Sequence, residues 1–153
     1  MSKSFYYNQG PLKILDILKT LNLKDNSLSE DIKVFDIKDL FSASTSDISF
    51  FHSKKYTNIA QNTKASFCIT TNNLKNELPK NCKALIVENV LVSTAKITAL
   101  FYPNAINDNF DETVLNISET EFKNKVKFGK NVLIGKNVSI GSNCSIGHNT
   151  IIE

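Results

Sequence analysis

The chain has 153 residues, 41% of them hydrophobic, and a mean hydropathy of -0.17, the composition of an ordinary soluble protein of one domain or two small ones. A net charge of +3 is too small to argue for a nucleic-acid partner, and no apolar run approaches the ~18 residues of a membrane span. Met1-Ser2-Lys3-Ser4-Phe5 lacks a signal-peptide apolar block, and Cys68, Cys82 and Cys144 have no metal-like spacing, so free thiols, a reducing cytoplasm and no metal or cofactor are expected.

Phe5 to Gly10 reads as a lead-in, and Gly10-Pro11 as the opening of a helix, where proline suits the first turn. Ile14, Leu15, Leu18 and Leu21 recur at helical spacing and predict one buried face. Asn22 to Glu30 is polar and turn-like. Ile32-Lys33-Val34 alternates and predicts a strand, while Ile37 and Leu40 fit either a short turn of helix or an irregular crossing. After a Ser/Thr/Asp loop over Ser42 to Asp47, Ile48-Ser49-Phe50-Phe51 predicts a second strand, which His52 to Tyr56 leaves. Thr57 to Thr63 fits a helix and Ala65 to Ile69 a third strand, with Cys68 in its core. Asn72 to Asn81 is a polar loop. Ala84 to Val87 predicts a fourth strand and Leu91 to Phe101 a helix ending at Tyr102-Pro103. Strands alternating with helical stretches predict a compact α/β domain over residues 1–103, then a polar linker over 104–116. Val114 to Phe122 is expected to lead into a coil in imperfect hexads.

From Val126 to Glu153 the sequence has a period of six. Phe128, Ile134, Ile140, Ile146 and Ile152 hold one phase; Gly129, Gly135, Gly141 and Gly147 follow the first four. Asn131, Asn137, Asn143 and Asn149 hold a third phase, and Val132, Val138, Cys144 and Thr150 a fourth. Four of the five glycines are locked to this period. A hexad is too short for a helix with its own core. Its alternating apolar positions suit a short strand, and Gly-x-Asn suits a corner in left-handed backbone. Strand and corner repeated give a coil that stacks on itself, with like residues in a column, Cys144 among them. Lys123, Lys125, Lys127, Lys130 and Lys136 read as its solvated outer face.

Ile134-Gly135-Lys136-Asn137-Val138-Ser139 and the two hexads after it resemble the hexapeptide repeat of left-handed parallel β-helix acyltransferases. In that family three hexads make a triangular coil and three chains pack as a trimer. The expected architecture is thus an α/β N-terminal domain followed, over 117–153, by the first coils of a left-handed parallel β-helix. Ile151-Ile152-Glu153 begins another strand, so the chain is expected to be part of a longer protein.

The segment Ser49-Phe50-Phe51-His52-Ser53-Lys54-Lys55-Tyr56 adds to this. On its residues alone, Phe50 and Phe51 fit a core and Tyr56 an amphipathic surface position; equally, aromatic faces at a strand exit can stack on a nucleobase. The segment resembles Ser-Phe-Leu-x-Asn-x-Lys-Tyr of UDP-3-O-(3-hydroxyacyl)glucosamine N-acyltransferases of lipid A biosynthesis. Gly10-Pro11 with the Leu-rich helix, Ala84-Leu85-Ile86-Val87-Glu88-Asn89 and Phe101-Tyr102-Pro103 agree in order, with Val90 where the family has proline. The resemblance implies that Phe50 and Tyr56 sandwich uracil. Ser53 stands where the family carries asparagine; a hydroxyl lacks the paired donor and acceptor of an amide. That leaves the uracil edge to Ser53, to His52 or to backbone groups.

The resemblance further implies transfer of a 3-hydroxyacyl group from acyl carrier protein to the sugar's 2-amine, with a coil histidine as general base. His148 is expected to be a solvent-facing corner rather than that base, which the family places several coils further on, beyond Glu153. This chain is therefore expected to hold the nucleotide-binding part and to be catalytically incomplete. Another hexapeptide sugar N-acetyltransferase and a non-catalytic trimerising module are the competing readings.

Overall fold

The computed structural model describes residues 6–103, 105, 110–136 and 138–153; Phe5 of the lead-in, residues 104 and 106–109 of the expected linker, and Asn137 of the repeat lie outside them. The chain divides into two compact units, Met1–Ile106 and Asn107–Glu153.

In the first unit, β1 (Leu12–Lys13) runs straight into helix α1 (Ile14–Thr20). The expectation that Pro11 opens the helix is corrected. Leu12 and Lys13 pair antiparallel with β2 (Lys33–Val34), and Ile14 N–H donates to Ile32 O, so this stretch is held extended before the helix begins. The helix buries Ile14, Ile17 and Leu18. Ile37, read as a turn of helix or a crossing, belongs instead to strand β3 (Asp36–Ile37), because its neighbour β4 (Asp47–Phe51) offers a parallel ladder.

A one-turn helix α2 (Thr57–Ala60) leads to β5 (Phe67–Thr70), and a loop leads to β6 (Lys83–Ile86). Together β3-β4-β5-β6 form a four-stranded, wholly parallel sheet in chain order. Helix α3 (Val90–Phe101) follows, its first turn capped by Asn89, whose side chain accepts the N–H of Val92 at 3.1 Å. Val90 thus takes the first helical position, the one most tolerant of proline.

Period-two alternation divides the core. Ile48, Phe67, Ile69 and Leu85 join Ile14, Ile17, Ile97 and Phe101 on the face covered by α1 and α3. Phe51 and Cys68 join Leu40, Ala60, Leu74 and Cys82 on the other. A polar belt closes the sheet edge. Asp47 is 2% exposed and accepts from the Ser44 N–H and hydroxyl at 2.9 and 2.7 Å and from Lys38 at 3.1 Å. Burial pushes its carboxyl up, but the Ser44 and Lys38 bonds outweigh that and hold it below the usual range. The Tyr102 hydroxyl donates to Asp36 at 2.6 Å; burial and that carboxylate push the phenol up to about 12.

The second unit is a stack with an 18-residue offset. Strand β7 (Leu115–Asn116) is followed by β8 (Lys127–Phe128), β9 (Leu133–Ile134), β10 (Ser145–Ile146) and β11 (Ile151–Ile152). Lys127 lies beside Ser145 and Leu133 beside Ile151, both in parallel register. Each pair is 18 residues apart, so three hexads make one turn of the stack. Lys127, Gly129, Leu133 and Gly135 donate their N–H groups to Cys144, Ile146, Thr150 and Ile152 at 2.7–3.0 Å. Val132 and Ile134 are buried, with Val138, Ile140, Ile146 and Ile152 packed against them.

Three expectations for this unit are corrected. Val114 to Phe122 does not form imperfect hexads. β7 pairs antiparallel with β9, and two 3-10 turns, Ile117–Glu119 and Glu121–Asn124, bury Ile117 and Phe122 against the first turn of the stack. This segment closes that end of the column, as a repeat array requires. Cys144 is exposed, not core, since it sits in the last turn with a neighbour on one side only. The corner chemistry also differs. Asn131, Asn143 and Asn149 take φ of 55–63°, whereas no described glycine has positive φ. Gly129 and Gly135 serve close approach instead: a Cβ would lie 2.7 Å from His148 N at the first and 2.8 Å from Asp111 Oδ2 at the second.

Candidate functional site

Polar groups with unusual surroundings are few in the first unit, so its concave surfaces decide where a ligand fits. A cleft beside α1, lined by Leu15, Lys19, Asn22 and Lys24 among others, contains no aromatic side chain. A second concavity, of about 250 Å³, lies outside the carboxyl end of β4. Asp39, Leu40, Phe41, Phe50, His52, Tyr56 and Ile59 line it. Whole small-molecule sites span about 300–1,000 Å³, so this one suits a single flat ring of a larger ligand.

Each wall is placed by local chemistry. Phe50 is the half-buried residue of β4, its neighbours being fixed in the ladder with β5. After the strand, the Ser53 side chain accepts the Lys55 N–H at 3.4 Å and the Ser53 carbonyl accepts the Tyr56 N–H at 3.0 Å. These bonds wind Lys54–Tyr56 into a 3-10 turn that brings Tyr56 back over the strand end. Its ring stands 5.6 Å from that of His52, tilted by 47°. Opposite, Asp39 accepts the N–H groups of Phe41 and Ser42 at 2.9 and 3.1 Å and the Ser42 hydroxyl. The Ser42 bonds hold the Asp39 carboxyl below its usual range. This turn presents Phe41 at the mouth, 88% exposed.

Two of the three site residues expected from the sequence, Phe50 and Tyr56, thus share one cavity. Ser53 does not line it; its hydroxyl is engaged in the turn. His52, left open as an alternative, does line it. Sequence reasoning missed Phe41, Leu40, Asp39 and Ile59. The legible signal was Phe41, a large aromatic in a run of Ser, Thr and Asp that nothing in the pattern called to a core.

Of the other chemistry-bearing groups, His148 is exposed, and its Nδ1 accepts the Lys130 N–H at 2.8 Å, one turn of the stack away. Next to it, the Asn131 side chain donates to that of Asn149 at 2.9 Å. These are corner-to-corner ties between turns. Lys123, Lys125, Lys127, Lys130 and Lys136 are all exposed, Lys125 paired with Glu121 at 2.6 Å. Among the described residues there is no cluster of three or more His, Cys, Asp or Glu suited to a metal ion, and no helix long and apolar enough to cross a membrane.

Residues 31–100, which contain every residue of the aromatic cavity, match the family model of UDP-3-O-(3-hydroxymyristoyl) glucosamine N-acyltransferase, LpxD. Residues 124–153, the stacked unit, match that of bacterial transferase hexapeptide repeats. The first unit thus resembles UDP-3-O-acylglucosamine N-acyltransferases, and the second carries the hexapeptide repeat of bacterial transferases. It is 36% identical over 104 residues to the UDP-3-O-acylglucosamine N-acyltransferase of Rickettsia prowazekii (strain Madrid E), covering 67% of this chain and 30% of that protein. The enzymes so named from Rickettsia akari (strain Hartford) and Rickettsia bellii (strain RML369-C) match at 36% and 35% over the same length, with the same shares covered. The chain thus spans about a third of the length of the curated relatives it matches.

Proposed function

We propose that this chain supplies the uridine-binding unit and the first hexapeptide turns of an N-acyltransferase of lipid A biosynthesis. The reaction is transfer of a 3-hydroxyacyl group from acyl carrier protein to the 2-amine of UDP-3-O-(3-hydroxyacyl)glucosamine, in the cytoplasm. The observation that carries this reading is the shared cavity of Phe50 and Tyr56, lying within the stretch that matches the family. Two aromatic faces with little polar lining favour a flat, weakly charged ring, and uracil is one. The ring would stack between Phe50 and Tyr56 while the diphosphate and sugar extend into solvent. Ser53 contributes indirectly, by fixing the turn that carries Tyr56.

The domain limits in this reading are 1–103 for the nucleotide unit, 104–116 for the connection, whose last residues pair with β9, and 117–153 for the stack with its cap. The 18-residue offset and the buried aliphatic column support a parallel β-helix of three hexads per turn; its left hand and its assembly as a homotrimer are what the family resemblance implies. No general base is assigned within this chain. The family resemblance implies a catalytic histidine and a carrier-protein surface several coils further on than His148, whose Nδ1 here accepts the Lys130 N–H. The fragment alone is then inactive in acyl transfer.

Calorimetry with UDP-N-acetylglucosamine tests the reading. Binding is expected, and Phe50→Ala and Tyr56→Ala should each weaken it by about 1–3 kcal/mol, the worth of one stacked base. Folded protein giving no heat at millimolar ligand would remove the assignment.

A further inference from the structure

The cleft beside α1 shares no residue with the aromatic cavity and measures about 450 Å³, within the range of whole small-molecule sites. Local chain chemistry builds it. Asn22 takes φ of 55° just past the helix, so the chain reverses there, and the Asn22 and Leu23 N–H groups donate to Lys19 O at 3.1 Å and Leu18 O at 2.9 Å. The reversal returns Leu23 to the level of Leu18, and with Leu15 they form an apolar floor. The same bonds, with Leu21 N–H to Ile17 O at 3.0 Å, occupy helix carbonyls that would otherwise repel an anion. Lys19 and Lys24 line the rim, exposed and in no ion pair among the described residues. Asp25, the one carboxylate among the described lining residues, is already balanced. It meets Lys83 Nζ at 2.7 Å and accepts the Ser27 N–H and hydroxyl at 2.9 and 2.6 Å, and these bonds, Lys83 foremost, pull its carboxyl down to about 2. Two uncompensated ammonium groups therefore stand over three leucines. Asn22 and Asn26 add side-chain amides engaged in no hydrogen bond among the described residues.

We infer that this cleft binds a free alkyl carboxylate, its tail on Leu15, Leu18 and Leu23 and its head on Lys19 and Lys24. Each part of the lining selects against a simpler ligand. A neutral hydrocarbon would leave the ammonium groups unused, and a small hydrophilic anion would leave the leucines wet. A cationic amphiphile would meet two like charges. A carboxylate head takes charge-assisted hydrogen bonds from the lysines and accepts from the free amides, while its tail leaves water over the leucine floor. The assignment is independent of the base-site reading.

The test is calorimetry of the full chain with octanoate and with octylammonium, which has the same tail and the opposite charge. Wild type is expected to bind octanoate and not octylammonium. From butanoate to octanoate the affinity should rise by about two- to fourfold per methylene, as a tail leaving water requires. Lys19→Glu combined with Lys24→Glu changes only exposed side chains and should reverse the preference, losing octanoate and admitting octylammonium. Phe50→Ala, which removes a wall of the other cavity, should leave octanoate affinity unchanged. Amide resonances of Leu18 and Leu23 should shift on titration. Absence of octanoate binding to wild type overturns the inference, as do equal binding of the two charges and a preference that survives the charge reversal. Octanoate binding lost in Phe50→Ala, or shifts that bypass Leu18 and Leu23, would move the ligand elsewhere and overturn it too. Circular dichroism of each variant, matched to wild type, separates lost recognition from lost fold.

Discussion

Gly129 tests the architecture of the stack most directly. An added methyl would lie 2.7 Å from the backbone nitrogen of His148 and 2.9 Å from its Cα and Cγ. Two of those atoms belong to the backbone of the next turn, which is itself tied down by the Gly129 N–H to Ile146 O bond at 3.0 Å and by the Lys130 N–H to His148 bond at 2.8 Å. Neither side can yield without opening the ladder. Overpacking of this kind costs about 1–3 kcal/mol, and each surrendered hydrogen bond adds about 0.5–1.5 kcal/mol. Gly129→Ala should therefore destabilise the stacked unit by about 2–5 kcal/mol. The control is Gly147→Ala: no atom lies within 4 Å of its added methyl, and its φ is not positive. There the substitution should be neutral or gain about 0.4–1 kcal/mol through the unfolded chain. Because the chain folds as two units, a single melting curve would mix them. Amide hydrogen exchange resolves the stack, read at Leu133 and Gly135, whose N–H groups bond to Thr150 and Ile152. Faster exchange at both in Gly129→Ala, with none in Gly147→Ala, is expected. Equal losses in the two variants would refute close approach as the reason for these glycines.

Three further predictions follow from the first unit and the thiols. Asp47→Asn should cost about 1–3 kcal/mol, since it weakens charge-assisted bonds from Ser44 and Lys38 while Lys38 keeps access to water. The folded-state carboxyl lies below its ordinary value near 3.9, so its contribution is complete above that pH and is lost as pH falls through the lower, folded value; urea denaturation below pH 4 should lose this acid slope in the variant. Among the described residues the fully buried Ser49 has no partner for its hydroxyl, so Ser49→Ala should stabilise the fold by up to about 1–2 kcal/mol, read as a higher urea midpoint. A thiol reagent should label Cys144 at once, while the buried Cys68 and Cys82 react only after denaturation; rapid labelling of all three would contradict the packing of β5 and β6.

The parts of the fold legible in the sequence are those set by periodicity. The hexads foretold a stack, and the strands alternating with helical stretches foretold an α/β unit, whose sheet proves buried on both faces. What escaped was pairing between distant short segments. Leu12–Lys13 and Asp36–Ile37 are each too short to show a period, and both are strands only because a partner lies alongside. The cap over the stack escaped for the same reason: Ile117 and Phe122 carry no repeat, because an end has only one neighbour to match. In the candidate site, Phe50 and Tyr56 were readable because six residues bring a strand end back to itself. Phe41 stood out as an aromatic in a polar run, but its place in the cavity was not readable, since its approach depends on how the Asp39 turn folds over β4. Ser53 was read by its place in a motif, whereas its chemistry is spent locally.

The constant step of 18 residues between paired strands governs how such a protein can change length. A duplicated block of that size would slide in as one more storey, leaving each Asn131-to-Asn149 type of tie and each aliphatic contact with an equivalent partner. A block that is not a whole multiple of that size would turn the upper storeys onto a different side or invert inside for outside. Growth of this unit is therefore quantised, and it can gain height far more freely than girth.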